Sequence, residues 1–72
     1  MDVGLKIKAY IDERDISQVE LSRKTGIPAP KLNLSLSAKR RLTFAEYQNI
    51  CWALGVGVDQ FMAPRPPEDV SA

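Results

Sequence analysis

Apolar residues recur along the chain at spacings of three and four, the pattern that is typical of amphipathic helices. The first such stripe predicts a helix over residues 3–14, with Asp2 as its N-cap. The inner face of this helix is predicted to consist of Val3, Ile7, Tyr10 and Ile11. Leu5 lies off this face, so we expect it to be partly exposed or to contact a partner.

Two short helices follow, over residues 18–24 and 28–36, with Gly26 at the corner between them. Ser17 and Glu20 have the spacing of a capping box that begins the first of these helices. A glycine at the corner ends that helix with a positive φ at no steric cost. The apolar residues predicted to face inward are Leu21, Ile27, Leu32 and Leu36. This is the helix-turn-helix pattern, whose second helix lies in the major groove of DNA.

A further helix is predicted from the capping pair Thr43 and Glu46 to Leu54, where Gly55 ends it. Its apolar stripe predicts the main wall of the core and consists of Phe44, Tyr47, Ile50, Cys51 and Leu54. Trp52 lies off the centre of this stripe, so it either covers the edge of the core or projects toward another subunit.

The end of the chain has a different composition. Residues 58–62 predict a short fifth helix, whose apolar side chains suit either the core or an interface. Residues 63–72 contain three prolines and two acids, which predicts a disordered tail. The sequence therefore predicts one all-α domain of four to five helices over residues 1–62, followed by the tail over residues 63–72.

Charge is segregated along the chain. Residues 21–45 hold six basic residues and no acid, whereas the other residues hold four basic and nine acidic ones. The basic segment coincides with the helix-turn-helix, as a surface that faces DNA phosphates requires. The alternative is a solvated basic face without a partner.

The composition argues against several other classes of protein. The 72 residues include one cysteine and no histidine, so an internal disulfide and histidine-based catalysis are excluded and a zinc site is not expected. With no glycine-rich phosphate loop and no acid in the basic segment, we reject an enzyme and expect no cofactor and no metal. No apolar run approaches the ~20 residues that cross a bilayer. The N-terminus lacks the layout of a signal peptide, so we expect a cytoplasmic protein.

One combination of residues resembles a known family. Its members in this sequence are Ser17, Gln18, Leu21, Ser22, Gly26, Ile27, Leu32, Leu54, Gly55 and Val56. At these spacings they resemble the Cro/lambda-repressor-like helix-turn-helix family (the XRE group) of small bacterial and phage transcriptional regulators. The resemblance covers about residues 3–62. It implies a compact lambda-repressor-like domain that binds double-stranded DNA, with residues 28–36 as the recognition helix.

The resemblance also implies which side chains face the bases, namely Ala29, Pro30, Lys31, Asn33 and Leu34. Asn33 can bond adenine in bidentate fashion, and Lys31 can reach guanine or a phosphate. The other three offer only apolar contact, for example to a thymine methyl group, whereas the family more often has polar residues at positions 29 and 30. Leu34 has a competing interpretation, in which it covers a protein partner instead of a base.

Contacts to DNA phosphates are implied in the same way for Gln18, Arg23, Ser37, Lys39, Arg40 and Arg41. Gln18 is further expected to brace the recognition helix. Ala38 stands where the family usually has glycine, and with a positive φ an alanine would cost about 1 kcal/mol. Asp15 also replaces a usual glycine, and aspartate tolerates the left-handed conformation better than most residues.

Two functions are consistent with these features. The favoured one is a transcriptional regulator that occupies a pseudo-palindromic DNA site, with repression more natural than activation. Such a protein is expected to be a homodimer, with an interface drawn from Trp52, Val58, Phe61 and Met62. The alternative is a protein-interaction module on the same fold, such as an antitoxin-like or adaptor subunit, because several side chains of the recognition face are apolar.

Overall fold

The computed structural model describes residues 3–62 of the chain. This range is all-helical, as the sequence predicts, and contains α1 (Gly4–Glu13), α2 (Gln18–Thr25), α3 (Ala29–Leu36) and α4 (Phe44–Leu54). The predicted N-cap Asp2 and the predicted tail over residues 63–72 lie outside the described residues. None of the helices between residues 3 and 62 is both long enough and apolar enough to span a membrane.

Side-chain caps begin two of the helices where the sequence predicts them. The hydroxyl group of Ser17 accepts the N–H of Glu20 at 3.0 Å at the start of α2. At the start of α4 the hydroxyl group of Thr43 accepts the N–H of Glu46 at 3.1 Å, and the Glu46 carboxylate accepts the N–H of Thr43 at 2.9 Å. These bonds satisfy backbone donors that a helix N-terminus leaves free.

Three helices end in the same hydrogen-bonded turn. Its left-handed residue is Asp15 after α1, Ala38 after α3 and Gly55 after α4, with φ of 56°, 63° and 73°. In each turn the next residue donates its N–H to the carbonyl five residues earlier, at 2.8, 2.9 and 3.0 Å. This pattern is the Schellman motif. The left-handed conformations considered for Asp15 and Ala38 are therefore present, although neither residue is a glycine.

The core lies where the helices meet. Helix α2 packs against α3 and α4, and α1 packs against α3. The apolar residues with the least exposure are Ile7, Ile11, Leu21, Leu32, Leu36, Leu42, Tyr47, Ile50 and Cys51. Burial raises the pKa of the Cys51 thiol, which supports its interpretation as a small buried hydrophobe.

The prediction that Phe44 faces the core is wrong, because its side chain is 49% exposed. Phe44 occupies the first turn of α4, at the edge of the stripe, and its ring lies 6.4 Å from the Tyr47 ring between centroids. Leu42 is buried instead, two residues before Phe44, although it precedes the helix and did not belong to its predicted stripe. Trp52 is 74% exposed and so does not cover the core.

The predicted fifth helix over residues 58–62 is also wrong. This segment forms turns in which Gln60 donates its N–H to Gly57 at 3.1 Å and Met62 donates to Asp59 at 3.3 Å. The carbonyl of Val58 accepts a hydrogen bond from the Tyr47 hydroxyl. This tertiary bond takes the place of the bond that the Val58 carbonyl would accept from Met62 in a helix. Five residues are also too few to nucleate a helix without strong support.

Phe61 completes the core instead of lying in an interface. Its side chain is 5% exposed, and its ring packs edge-on against Tyr10 at 5.2 Å and Tyr47 at 6.4 Å between centroids. Of the two alternatives left open for Phe61, core or interface, its burial supports the core. Trp52, Val58 and Met62, the other predicted interface residues, are exposed.

Candidate nucleic-acid interface

The corner between α2 and α3 is held by side chains from two helices. Gly26 has φ of 75°, as the corner requires. On one side of it the Ser22 hydroxyl donates to the carbonyl of Ile27, and the Thr25 hydroxyl accepts the N–H of Ile27 at 3.2 Å. Asn49 of α4 donates from its amide to the carbonyl of Thr25. These bonds fix the direction in which α3 leaves the corner.

Helix α3 begins at a proline-rich turn. Pro28 is the N-cap, with φ of −55° and ψ of 139°, and Pro30 lies in the first helical turn. A proline costs little at these positions because the first N–H groups of a helix have no intrahelical partner. Helix α3 therefore begins without a side-chain cap.

The inner side of α3 packs directly against α1. Leu32, Ser35 and Leu36 are buried. Gly4 of α1 lies so close to the α3 backbone that a Cβ atom at this position would be 1.8 Å from the carbonyl oxygen of Ser35. The sequence analysis did not identify Gly4, because a lone glycine near a helix start carries no signal of the element that it touches.

The outer side of α3 carries an apolar ridge, which consists of Pro30 and Leu34. Residues of a helix turn by about 100° each, so the point opposite the buried Leu32, Ser35 and Leu36 lies between Pro30 and Leu34. Both ridge residues are exposed, Leu34 by 43%. Neither side chain can donate or accept a hydrogen bond.

Polar side chains flank the apolar ridge. Asn33 lies on the flank toward α2, where its Nδ2 donates to Oε1 of Gln18 at 3.3 Å. This bond shows that Gln18 braces α3, as expected. Ala29 lies on the same flank by helical geometry, Lys31 lies on the opposite one, and both are exposed. All the predicted base-facing residues are therefore on the exposed side of α3.

The segment over residues 37–41, here called the basic loop, leaves α3 through the left-handed Ala38. The Ser37 hydroxyl donates to the carbonyl of Asn33 at 2.8 Å. Lys39 and Arg41 are exposed. The ion pairs within residues 3–62 are Lys8–Asp12 and Arg40–Glu46, so neither of these two cations is paired with a described carboxylate.

Arg40 differs from its neighbours because its guanidinium group binds inside the domain. It donates to both carboxylate oxygens of Glu46 at 3.0 and 2.9 Å and to the hydroxyl group of Ser35 at 2.9 Å. The hydrogen bonds from Arg40, with that from the Thr43 N–H, lower the pKa of Glu46 to about 2. Arg40 thus connects the basic loop to both α3 and α4.

The predicted phosphate-contacting residues fall into two groups. Gln18, Ser37 and Arg40 each make a hydrogen bond within the domain, whereas Arg23, Lys39 and Arg41 are exposed cations outside the described ion pairs. The supporting roles of Ser35 and Glu46 toward Arg40 were not apparent from the sequence. The capping pattern did identify Glu46, but it gave no sign of its bond to Arg40.

The described residues offer no alternative metal centre, since within residues 3–62 no three cysteine, aspartate or glutamate side chains come together to hold an ion.

A family model described as the Cro/C1-type HTH DNA-binding domain matches residues 6–67, which is most of the chain. No curated protein and no solved structure matches the chain significantly. The family match confirms the resemblance seen in the sequence.

Proposed function

The chain belongs to the family of Cro/C1-type HTH DNA-binding domains, and we propose that it is a sequence-specific transcriptional regulator. In this proposal α3 lies in the major groove with its exposed side toward the base edges. The observation that carries it is the position of Lys39 and Arg41, two exposed cations outside the described ion pairs, directly after the end of that exposed side. A DNA-binding surface needs such an arrangement, because phosphates flank the groove that the helix enters.

The proposal assigns different tasks to the cations. Lys39, Arg41 and Arg23 are the phosphate-contacting cations, since each is exposed and outside the described ion pairs. Gln18 and Ser37 contribute neutral contacts to the backbone. Arg40 acts mainly as a brace that holds the basic loop in place, because its guanidinium is already bonded to Glu46 and Ser35.

The regulator is proposed to act as a homodimer that occupies a pseudo-palindromic site with half-sites about one helical turn apart. Exposed apolar side chains at Trp52, Val58 and Met62 support a contact between copies of the chain. Occupancy of a promoter by such a dimer blocks polymerase, so repression is the proposed outcome in a bacterial cytoplasm.

A matched pair of charge variants tests this function. Lys39→Gln with Arg41→Gln removes two cations from the basic loop, and Lys6→Gln with Lys8→Gln removes two from α1. Each phosphate contact contributes about 0.9 to the slope of log affinity against log salt concentration. We therefore expect the loop variant to lower the slope by roughly two and to weaken binding to all duplexes. The α1 variant should keep the slope of the original protein.

An unchanged slope in the loop variant would remove these residues from the interface. Equal losses in both variants would show that overall charge, and not the basic loop, governs binding.

Exposure of Leu34 and Trp52 favours a second candidate, a module that binds another protein. Contact through apolar side chains should persist as the salt concentration rises, whereas binding to phosphates weakens steeply. A partner that stays bound at high salt, with no duplex bound at low salt, would favour this candidate.

A further inference from the structure

The apolar ridge of α3 has a consequence for which bases the protein recognises. Pro30 and Leu34 lie at the centre of the exposed side, which faces the base edges when α3 lies in a major groove. Their side chains cannot bond the donors and acceptors that distinguish most base pairs. The chemistry of the ridge therefore limits it to apolar groups on the base edges.

The apolar group that thymine presents in the major groove is its C5-methyl group. We propose that the apolar ridge recognises pyrimidine 5-methyl groups and that Leu34 is the residue that determines this specificity. The inference rests on the proposed function, since it requires α3 to lie in the major groove. It goes beyond that function because it names the chemical group that the helix selects.

Spacing on the helix supports this match. Pro30 and Leu34 are four residues apart, which is about 6 Å along the helix axis. Successive bases of one strand are about 3.4 Å apart, so the two side chains can contact methyl groups one or two steps from each other. We therefore expect neighbouring or nearly neighbouring thymines in each half-site.

Asn33 also favours A·T base pairs. Its Nδ2 donates one hydrogen to Gln18, which orients the amide and leaves a second hydrogen and the Oδ1 acceptor for a base. An asparagine amide held in this way suits adenine, which offers an acceptor at N7 and a donor at N6. Adenine pairs with thymine, so Asn33 and the apolar ridge both favour A·T pairs.

Charge argues for DNA, and not an apolar protein surface, as the occupant of the ridge. Exposed Lys31 flanks the ridge, and exposed Lys39 and Arg41 follow it, with no described carboxylate paired to any of them. An apolar partner would bring these cations close to a surface that cannot neutralise them. Phosphates on both sides of a major groove provide that neutralisation.

The experiment replaces each thymine of a duplex selected by the protein, one at a time, with deoxyuridine, which lacks the 5-methyl group. Loss of one buried methyl group should weaken binding about fourfold at one or two positions of each half-site. Leu34→Ala should bind the thymine duplex more weakly and lose the response to deoxyuridine at one of those positions. Leu5→Ala is the matched control, because Leu5 is an exposed leucine on α1 and should keep the full response.

The outcomes separate this inference from the proposed function. Specific binding that no deoxyuridine weakens would overturn methyl recognition and leave the DNA-binding function intact. A response that is the same in Leu34→Ala and the original protein would overturn the role of Leu34, because the effect would then come from DNA shape or another residue. Absence of binding to any duplex would overturn both proposals.

Discussion

The turns after α3 and α4 have the same hydrogen-bond pattern but different left-handed residues. Lys39 donates its N–H to Leu34 at 2.9 Å after α3, and Val56 donates to Cys51 at 3.0 Å after α4. The φ angles are 63° and 73°. The turn after α4 has a glycine at this position, whereas the turn after α3 has Ala38, for which the left-handed conformation costs about 1 kcal/mol.

The surroundings of the two turns explain why one has an alanine and the other a glycine at the left-handed position. A Cβ atom added to Gly55 would meet no heavy atom of residues 3–62 within 4 Å beyond its chain neighbours, so a side chain there would point into open space, and we call this the open turn. The residues of the turn after α3 are exposed too, but its backbone is tied to another helix, because the Ser35 carbonyl that accepts the N–H of Ala38 at 3.3 Å also lies against Gly4 of α1; we call it the enclosed turn. On its other side Arg40 bonds Ser35 and Glu46.

This comparison shows how a left-handed alanine persists. Contacts from other helices determine the conformation of the enclosed turn, so Ala38 adopts it despite the cost. In the open turn Leu54 and Val56 pack against the core, but a Cβ atom at position 55 would meet no described atom that could offset the cost of a left-handed side chain, so this position favours glycine. The enclosed turn also carries the basic loop, so the bonds of the turn and of Arg40 position the backbone from which Lys39 and Arg41 extend.

The largest effect is expected from Gly4→Ala, which places a Cβ atom where the Ser35 carbonyl lies. Helix propensity alone would make this change favourable by up to about 1 kcal/mol. The close contact should instead reduce the free energy of unfolding by about 3 kcal/mol, because the backbones of α1 and α3 must move apart. Urea denaturation measures the difference, and equal or greater stability would show that α1 does not enclose the turn.

A smaller loss is expected from Glu46→Gln, which removes the negative charge and one of the two acceptor oxygens that bind Arg40 on the other side of the enclosed turn. The folded protein holds the pKa of Glu46 at about 2, below its ordinary value of 4.5. The bond therefore stabilises the fold above about pH 4.5, and this stabilisation is lost as the pH falls toward about 2. Glu46→Gln should lower Tm at pH 7 and reduce the further fall of Tm across that range.

Glu20→Gln is the matched control for this prediction. Glu20 occupies the third position of α2, as Glu46 does in α4, but it is exposed and outside the described ion pairs. Its change should affect Tm at pH 7 less. Identical Tm profiles for the two variants from pH 7 to pH 2 would show that the Arg40 bond does not stabilise the turn.

Gly55→Ala tests the open turn. An alanine there takes the left-handed conformation without support from other helices, so the free energy of unfolding should fall by about 1 kcal/mol. Thermal or urea denaturation measures this loss. A stability equal to that of the original protein would mean that the open turn does not depend on glycine.

The reciprocal change, Ala38→Gly, should have the smallest effect and the opposite sign. It removes the conformational cost at Ala38 but makes the unfolded chain more flexible, so the gain is at most about 1 kcal/mol. The same denaturation experiment applies. A loss of stability would indicate that the Ala38 methyl group makes a favourable contact that outweighs its backbone strain.

Features that depend on neighbours in the chain were predictable from the sequence. Gly26 and Gly55 marked helix ends, and Thr43 with Glu46 marked a helix start, because capping joins residues a few positions apart. The inward face of α3, with Leu32 and Leu36, followed from its periodicity in the same way. The family resemblance, and not the local sequence, identified Ala38 as a strained position.

Features that depend on tertiary contacts were not predictable. Nothing near Gly4 in the sequence indicates that its α-carbon touches α3. Arg40 looks identical to its basic neighbours until Glu46 is placed beside it by the packing of α4. Phe61 was equally consistent with a core or an interface, and the positions of Tyr10 and Tyr47 place it in the core.

DNA recognition by α3 is best tested by selecting duplexes from a random library at two salt concentrations. We expect enrichment of a two-fold symmetric site rich in A·T pairs, with affinity that falls steeply as the salt concentration rises. Failure to bind any duplex at the lower salt concentration would show that DNA is not the ligand of this surface.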